Sequence, residues 1–462
     1  MTETIGLGIW SLLPPVVIVI FALKTRKTFE ALFIGTLVSY VMFYKLAFFW
    51  PLVEVIQFVI ADEIWIFVAF ALFGFFVVLL ERSEATTGFA NLLARWADTQ
   101  KKALIATWVL GIIVFMDDFL NILTVSAAMK KLLDKLKTPR EMLAYVLDST
   151  GAPICVLIPL STWAIFYAGL GGIELADAGV TEYGSGMSAY ISAIPFMFYS
   201  WVAVIMVPLV SLGIMPKIGP MKKAFERVDL NGRLWSEASD KHNRDEVVVE
   251  KLEGQKEIKP RIVNFVIPLG VVIVAMLMTE DMVASLLIGV AVMFLMYVPT
   301  KTMSFDVFCD SLPRGINNML PVIIILVGCY TIREAMYLIE MPQYVIELVL
   351  PYCNATFLPM IAFFVVAILS FVTGSSWGVP AITVPILLPL AFATDANFPL
   401  VFGAVVTAAS FGSHACFYAD STVLASQASQ IDNIEHCVTQ LPYVLISAGI
   451  AGLLFLIAGF IF

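Results

Sequence analysis

Apolar runs of about 18 or more residues recur along the whole chain, separated by short charged clusters. That pattern predicts a polytopic all-α membrane protein; the short apolar/polar alternation of a closed barrel is absent. The first runs cover about 9–23, 29–43 and 64–80. An amphipathic stretch at 88–96 leads into an apolar segment from 103 to about 128. Two more, 142–170 and 188–212, follow. A polar connection then occupies 216–261, with too little apolar content for a core of its own and room for a short amphipathic helix around 221–228. It reads as a solvated linker between membrane units at 1–215 and 262–462.

The second unit repeats the first. Without gaps, 12–23 lines up on 266–277, with Pro14 on Pro268. The same register carries Thr25 onto Thr279, Gly35 onto Gly289 and Gly74 onto Gly328. After small insertions Thr124-Val125 falls on Thr383-Val384, and Asp148-Ser149-Thr150 on Asp420-Ser421-Thr422. Duplication of this kind is common in secondary transporters.

Basic residues set the orientation. With the N-terminus outside, Lys24, Arg26, Lys27, Arg95, Lys101, Lys102, the basic residues of 130–140, the linker and Lys301 are cytoplasmic, as the positive-inside rule asks. Asp62-Glu63, the glycine-rich loop 171–186 and Thr279-Glu280-Asp281 are then outside. Both flanks of the Asp117-Asp118 segment fall on one side, so it enters and returns as a re-entrant hairpin. Its counterpart, about 357–392 with a tip at 373–378, enters from the other side. The expected architecture is two inverted-topology repeats, each with about five transmembrane helices, one hairpin and one broken helix, working by alternating access. Gly151, Pro153, Gly374, Gly378, Pro380 and Gly412 mark the breaks.

Composition sharpens the class: 60% hydrophobic against 14% charged residues lies outside the range of soluble domains. The six cysteines are scattered through apolar runs with no metal-ligand spacing, and read as packed thiols. Met1-Thr2-Glu3-Thr4 lacks a basic stretch, so the first helix is expected to be retained. There is no phosphate-binding glycine loop for ATP and no nucleic-acid motif. A passive channel would not need two broken-helix halves, and the sequence assigns no hydrolase geometry. A secondary transporter of the plasma (inner) membrane, without cofactor and not an enzyme, is the expectation.

The chemistry is carried by polar islands at membrane depth, where a carboxylate costs several kcal/mol. Asp117, Asp118 and Asn121 form the first; Asp148, Ser149 and Thr150 the second; Asp420, Ser421 and Thr422 the last. These are the candidate cation- and proton-binding residues, with Na⁺ at Asp117, Asp148 and Asp420, because hard oxygen donors suit a dehydrated alkali cation. Adjacent Asp117 and Asp118 point about 100° apart on a helix, so one is free to bind cation while the other caps. Asp148 and Asp420 read as symmetry mates. Thr373, Ser375, Ser376, Trp377 and His414 are candidate substrate contacts, with capping and packing as their ordinary alternatives. Arg333-Glu334 reads as an ion pair near the outer boundary; His242 and His436 read as solvated.

The motifs FMDDFLN, LDSTGAP, SSWGVPAITVPI and SHACFYADSTVLASQ resemble the NhaC-type Na⁺/H⁺ antiporter family of the ion-transporter superfamily across the membrane region. The resemblance implies Na⁺-linked exchange or symport, two hairpins, two broken helices and, at family level, a homodimer. It leaves open whether Na⁺ and H⁺ alone compete for the aspartates, or whether a small organic acid or amino acid is also carried.

Overall fold

The computed structural model describes residues 7–25, 27–93, 96–243, 261–279 and 281–462. Met1-Thr2-Glu3-Thr4, Arg26, Arg95, Glu280 and the mixed-charge run at 244–260 lie outside the described residues. The described residues form helices joined by short non-helical stretches, with no strand. Among them four helices are long and apolar enough to cross a bilayer, and up to seven if each bent pair is one span. The 142–170 and 188–212 runs are such bent pairs, turning by 42° and 51°. The acidic loop is shorter than expected, because the Thr162–Asp177 helix extends through its first residues.

The two halves pack alike. Leu13–Thr25 pairs with Thr28–Tyr44, and Val263–Thr279 with Met282–Tyr297. A Cβ on Gly35 would lie 2.3 Å from Ile18, and one on Gly289 would lie 2.3 Å from Val272. Ile18 and Val272 are mates in the gap-free register, so each glycine serves the same close approach. Helix Phe305–Leu338 is bent 42° between 305–320 and 323–338. Its two parts are the register counterparts of the helices Phe49–Asp62 and Ile64–Arg82. It crosses Ile64–Arg82 backbone to backbone: a Cβ on Gly74 would lie 2.2 Å from the carbonyl oxygen of Gly315. Arg82 donates to the Val307 carbonyl at 2.8 Å and to Ser311 Oγ at 3.0 Å. At the other end of the long helix Arg333 pairs with Glu63 at 3.0 Å and with Glu334 at 3.1 Å.

The first hairpin consists of Gln100–Ile113 and Asp118–Lys135. Gln100 Nε2 donates to the Lys137 carbonyl at 3.1 Å, so the entry and exit of the hairpin are side by side. The second consists of Leu358–Thr373 and Gly378–Ala393. Its first arm packs on the helix Phe398–Ala415, where a Cβ on Gly412 would lie 2.2 Å from Ser370 Cβ and 2.8 Å from its carbonyl carbon. Gly412→Ala is therefore expected to destabilise by about 1–3 kcal/mol through overpacking. Gly449, which faces open space, tolerates the same change. Thermal melts of detergent-solubilised protein followed by size exclusion separate the two.

The linker is more than a solvated tether. Its helix, Gly219–Asn231, buries Met221, Ala224, Phe225 and Val228. Arg227 grips the buried carboxylate of Glu141 at 2.7 and 2.9 Å. Ser236 and Ser239 donate to Glu435 at 2.5 and 2.7 Å, and Lys241 pairs with Asp432 at 2.8 Å. The segment 219–243 thus sits on the start of the Arg140–Thr150 helix and the turn that precedes Asn433–Ile461.

Candidate cation site

Each hairpin tip meets the break of a helix from its own half. The span beginning at Arg140 loses helical geometry first at Gly151 and again over 158–161, before Thr162–Asp177. The span beginning at Phe398 breaks over 416–419, before Asp420–Ala428. Both larger breaks start eighteen residues into their span (140 to 158, 398 to 416). By position, then, Thr162 is the counterpart of Asp420. Asp148, which precedes the earlier break, is not, and the symmetry read from the two Asp-Ser-Thr triplets is corrected. Ser161 holds the first break by accepting from Ala164 N–H at 3.0 Å and donating to the Cys155 carbonyl at 2.5 Å. Pro159 followed by a Ser-Thr cap was a sequence signal for it.

At the first tip Asp117 caps the returning arm. Its Oδ1 accepts from Leu120 N–H at 3.0 Å, and its Oδ2 lies 3.4 Å from Thr162 Oγ1. Thr162 N–H also donates to the Met116 carbonyl at 2.9 Å. Asp118, 1% exposed, accepts from Trp163 Nε1 at 3.0 Å and interacts electrostatically with Asp117 and Asp420. Asn121 stitches the tip together, donating to the carbonyls of Gly111, Val114 and Thr150 at 2.6, 2.9 and 3.1 Å. Its Oδ1, also buried, has no partner among the described residues. The Thr150 hydroxyl bonds back to the Val146 carbonyl at 2.8 Å.

At the second tip Gly374 takes a left-handed conformation (φ 65°), and a Cβ there would lie 2.6 Å from the ring of Tyr418 in the second break. Tyr418 OH donates to the Val372 carbonyl. Thr373 and Ser375 cap: Thr373 Oγ1 accepts from Ser375 N–H, and Ser375 Oγ accepts from Gly378 N–H. Ser376 differs. Its carbonyl accepts from Tyr167 OH at 2.8 Å, while its buried hydroxyl has no partner among the described residues. Trp377 packs against Trp163 and Phe166, each with ring centroids 4.9 Å away. The helix that presents Thr162 and Trp163 to the first tip therefore presents Phe166 and Tyr167 to the second. Asp420 Oδ1 accepts from Ser421 N–H at 2.9 Å, and the group interacts with the Glu63–Arg333 pair.

Asp148 belongs to a separate buried network. Its Oδ2 accepts from Thr422 Oγ1 at 3.1 Å, His436 Nε2 at 3.1 Å and Gln440 Nε2 at 2.7 Å. Beside it Ser149 Oγ lies 3.0 Å from His414 Nε2, and His414 Nδ1 lies 2.8 Å from Tyr199 OH. Ser421 Oγ meets Ser413 Oγ at 2.5 Å. One expectation fails here: His436 is fully buried, with its ring turned inward to Asp148. Among the described residues no three His, Cys, Asp or Glu side chains converge on a metal position. Trp163, Tyr167, His436 and Gln440 are the polar partners that sequence reasoning did not single out.

Comparison with known proteins follows the same lines. The model of the Na⁺/H⁺ antiporter family matches residues 154–460. An uncharacterized protein of Haemophilus influenzae is 28% identical over 98% of this chain and 91% of its own length. Shorter matches reach the malate-2H⁺/Na⁺-lactate antiporter of Bacillus subtilis, 26% identical over 33% of each chain, and an uncharacterized Na⁺/H⁺ antiporter of Haemophilus influenzae, 36% identical over 20% of each.

Proposed function

The chain belongs to the Na⁺/H⁺ antiporter family, and from that premise we propose that it exchanges Na⁺ for H⁺ across the plasma membrane by alternating access, with Asp117, Asp118 and Asp420 as the exchanging carboxylates. The observation that carries this reading is Asp118. It is a buried carboxylate at the tip of a hairpin, held by one indole N–H and repelled by two further carboxylates. Such a group is stable when a cation or a proton neutralises it, and the two compete for the same oxygens. Broken helices supply the remaining oxygen donors from backbone that faces the polar interior. With the N-terminus outside, the linker lies in the cytoplasm and Glu63–Arg333 on the outer side.

A second reading has its own support. Trp163 and Phe166 pack on Trp377, Tyr167 bonds the Ser376 carbonyl, and the Ser376 hydroxyl at the same tip has no partner among the described residues, a combination of aromatic surface and a spare polar group that suits a small solute. A relative is named as an antiporter of malate and lactate. In this reading Na⁺ or H⁺ movement is tied to a small organic acid.

Proteoliposomes loaded with a pH dye decide between them. A Na⁺ gradient alone is expected to drive proton efflux. Efflux that appears only when lactate, a dicarboxylate or an amino acid is added would replace plain exchange with the second reading.

A further inference from the structure

The Asp148 network is short of donors. Gln440 Nε2 donates to Asp148 Oδ2 at 2.7 Å and to the His414 carbonyl at 2.6 Å. Two acceptors on one nitrogen fix the amide, so Oε1 is the atom left over. The single proton of Thr422 Oγ1 faces two acceptors, Asp148 Oδ2 at 3.1 Å and the Ser413 carbonyl at 2.7 Å. His436 Nε2 lies 3.1 Å from Asp148 Oδ2. Among the described residues three buried atoms of this network have no partner: Asp148 Oδ1, Gln440 Oε1 and His436 Nδ1. Asp148 Oδ1 and Gln440 Oε1 are acceptors. All three parent side chains are completely buried. Each orphan is the second heteroatom of a planar group whose first contacts Asp148 Oδ2, or is the sister oxygen itself, so all lie within about 5 Å of that atom.

A buried acceptor without a donor is costly, and a buried carboxylate without a counter-charge more so. Among the described residues the only ion-pair partner of Asp148 is His436. The network holds one carboxylate, so one monovalent cation balances it, whereas a divalent ion would leave an excess positive charge in the same low-dielectric place. Carboxylate and amide oxygens are the hard donors that Na⁺ takes.

We propose a second monovalent-cation position beside Asp148, bounded by Asp148 Oδ1 and Gln440 Oε1 and distinct from the Asp117–Asp118–Asp420 site. It rests on the exchange reading only in taking Na⁺ as the ion. Thr422 is two residues from Asp420 and touches Asp148, so occupancy of one position is felt at the other through the start of the Asp420–Ala428 helix.

The test is equilibrium binding of radioactive Na⁺ to purified full-length protein in detergent, with size exclusion as the check on folding. Wild type is expected to bind two Na⁺ per chain, Asp148→Asn one, Asp118→Asn one, and the double variant none. Gln440→Leu, which keeps the carboxylate and removes Oε1, is expected to weaken one of the two binding events about tenfold, the measure used if Asp148→Asn does not fold. Unchanged Na⁺ stoichiometry and affinity in Asp148→Asn, or in Gln440→Leu where that stands in, overturns the proposal. That result means that His436 carries the compensating charge or that water fills the place. Loss of one Na⁺ in Asp148→Asn with none lost in Asp118→Asn supports this second position and removes the exchange site instead.

Discussion

Asp118→Asn brings Na⁺-driven proton efflux down to that of protein-free vesicles, while Asp117→Asn keeps a measurable fraction. The two neighbours differ in what their oxygens already do. Asp117 is the N-cap of the returning arm of the first hairpin, with Oδ1 on Leu120 N–H and Oδ2 near Thr162. Asparagine caps about as well as aspartate, so the tip survives that exchange, and only the local charge is lost. Asp118 has no capping duty. Its carboxylate accepts from Trp163, and an asparagine there keeps the side-chain oxygen while removing the charge. Losing an ion–carboxylate interaction of about 3 kcal/mol or more lowers cation occupancy by at least about a hundredfold. Dye-loaded proteoliposomes measure both variants. Equal losses would mean that the pair acts as one unit and that the capping distinction has no functional weight.

Arg227→Ala destabilises the folded protein by about 3–5 kcal/mol, the usual result of stripping a buried ion pair of one partner. Glu141 is completely buried and is held by both of its oxygens to Arg227 Nη2. Arg227 also reaches Glu435, 3.8 Å away, so its removal leaves two acidic groups facing each other across the linker interface. Arg227→Ala with Glu141→Gln is expected to recover much of the loss, since no buried charge then remains unpaired. Melting temperatures of the two single variants and the double form the cycle. Additive losses would show that the arginine acts through its packing alone.

The repeat was legible because glycines are rigid markers. Gly35 and Gly289 keep helices at the same close distance, and their register survived divergence of the apolar residues around them. The hairpins were legible from charge: basic residues at both ends of one apolar segment force its ends to one side, and Gln100 does lie beside Lys137. The tips were legible from Asp117-Asp118 and from Gly374. What misled was identity of letters. Asp148-Ser149-Thr150 and Asp420-Ser421-Thr422 share a string, yet the first ends a helix and the second begins one. Their neighbours depend on which end they occupy. His436 was illegible for a different reason. It lies next to Glu435 in a polar stretch, and the partner its ring turns inward to, Asp148, is 288 residues away in sequence. Trp163 and Tyr167 look like ordinary membrane aromatics until the fold brings their polar ends to Asp118 and to the Ser376 carbonyl.

The crossing of Ile64–Arg82 with Phe305–Leu338 has a consequence for biogenesis. Arg82 finds its acceptors, Val307 and Ser311, only 225 and 229 residues later in the chain. Glu63 waits still longer for Arg333. At about 5–20 residues per second, the ribosome takes on the order of ten seconds or more to make the partner helix. Throughout that interval the nascent first half carries a charge near each end of Ile64–Arg82, with Gly74 uncovered between them. The insertion machinery has to shelter this surface, and a ribosome stalled before residue 305 would leave an orphan that membrane quality control can recognise by its unpaired Arg82.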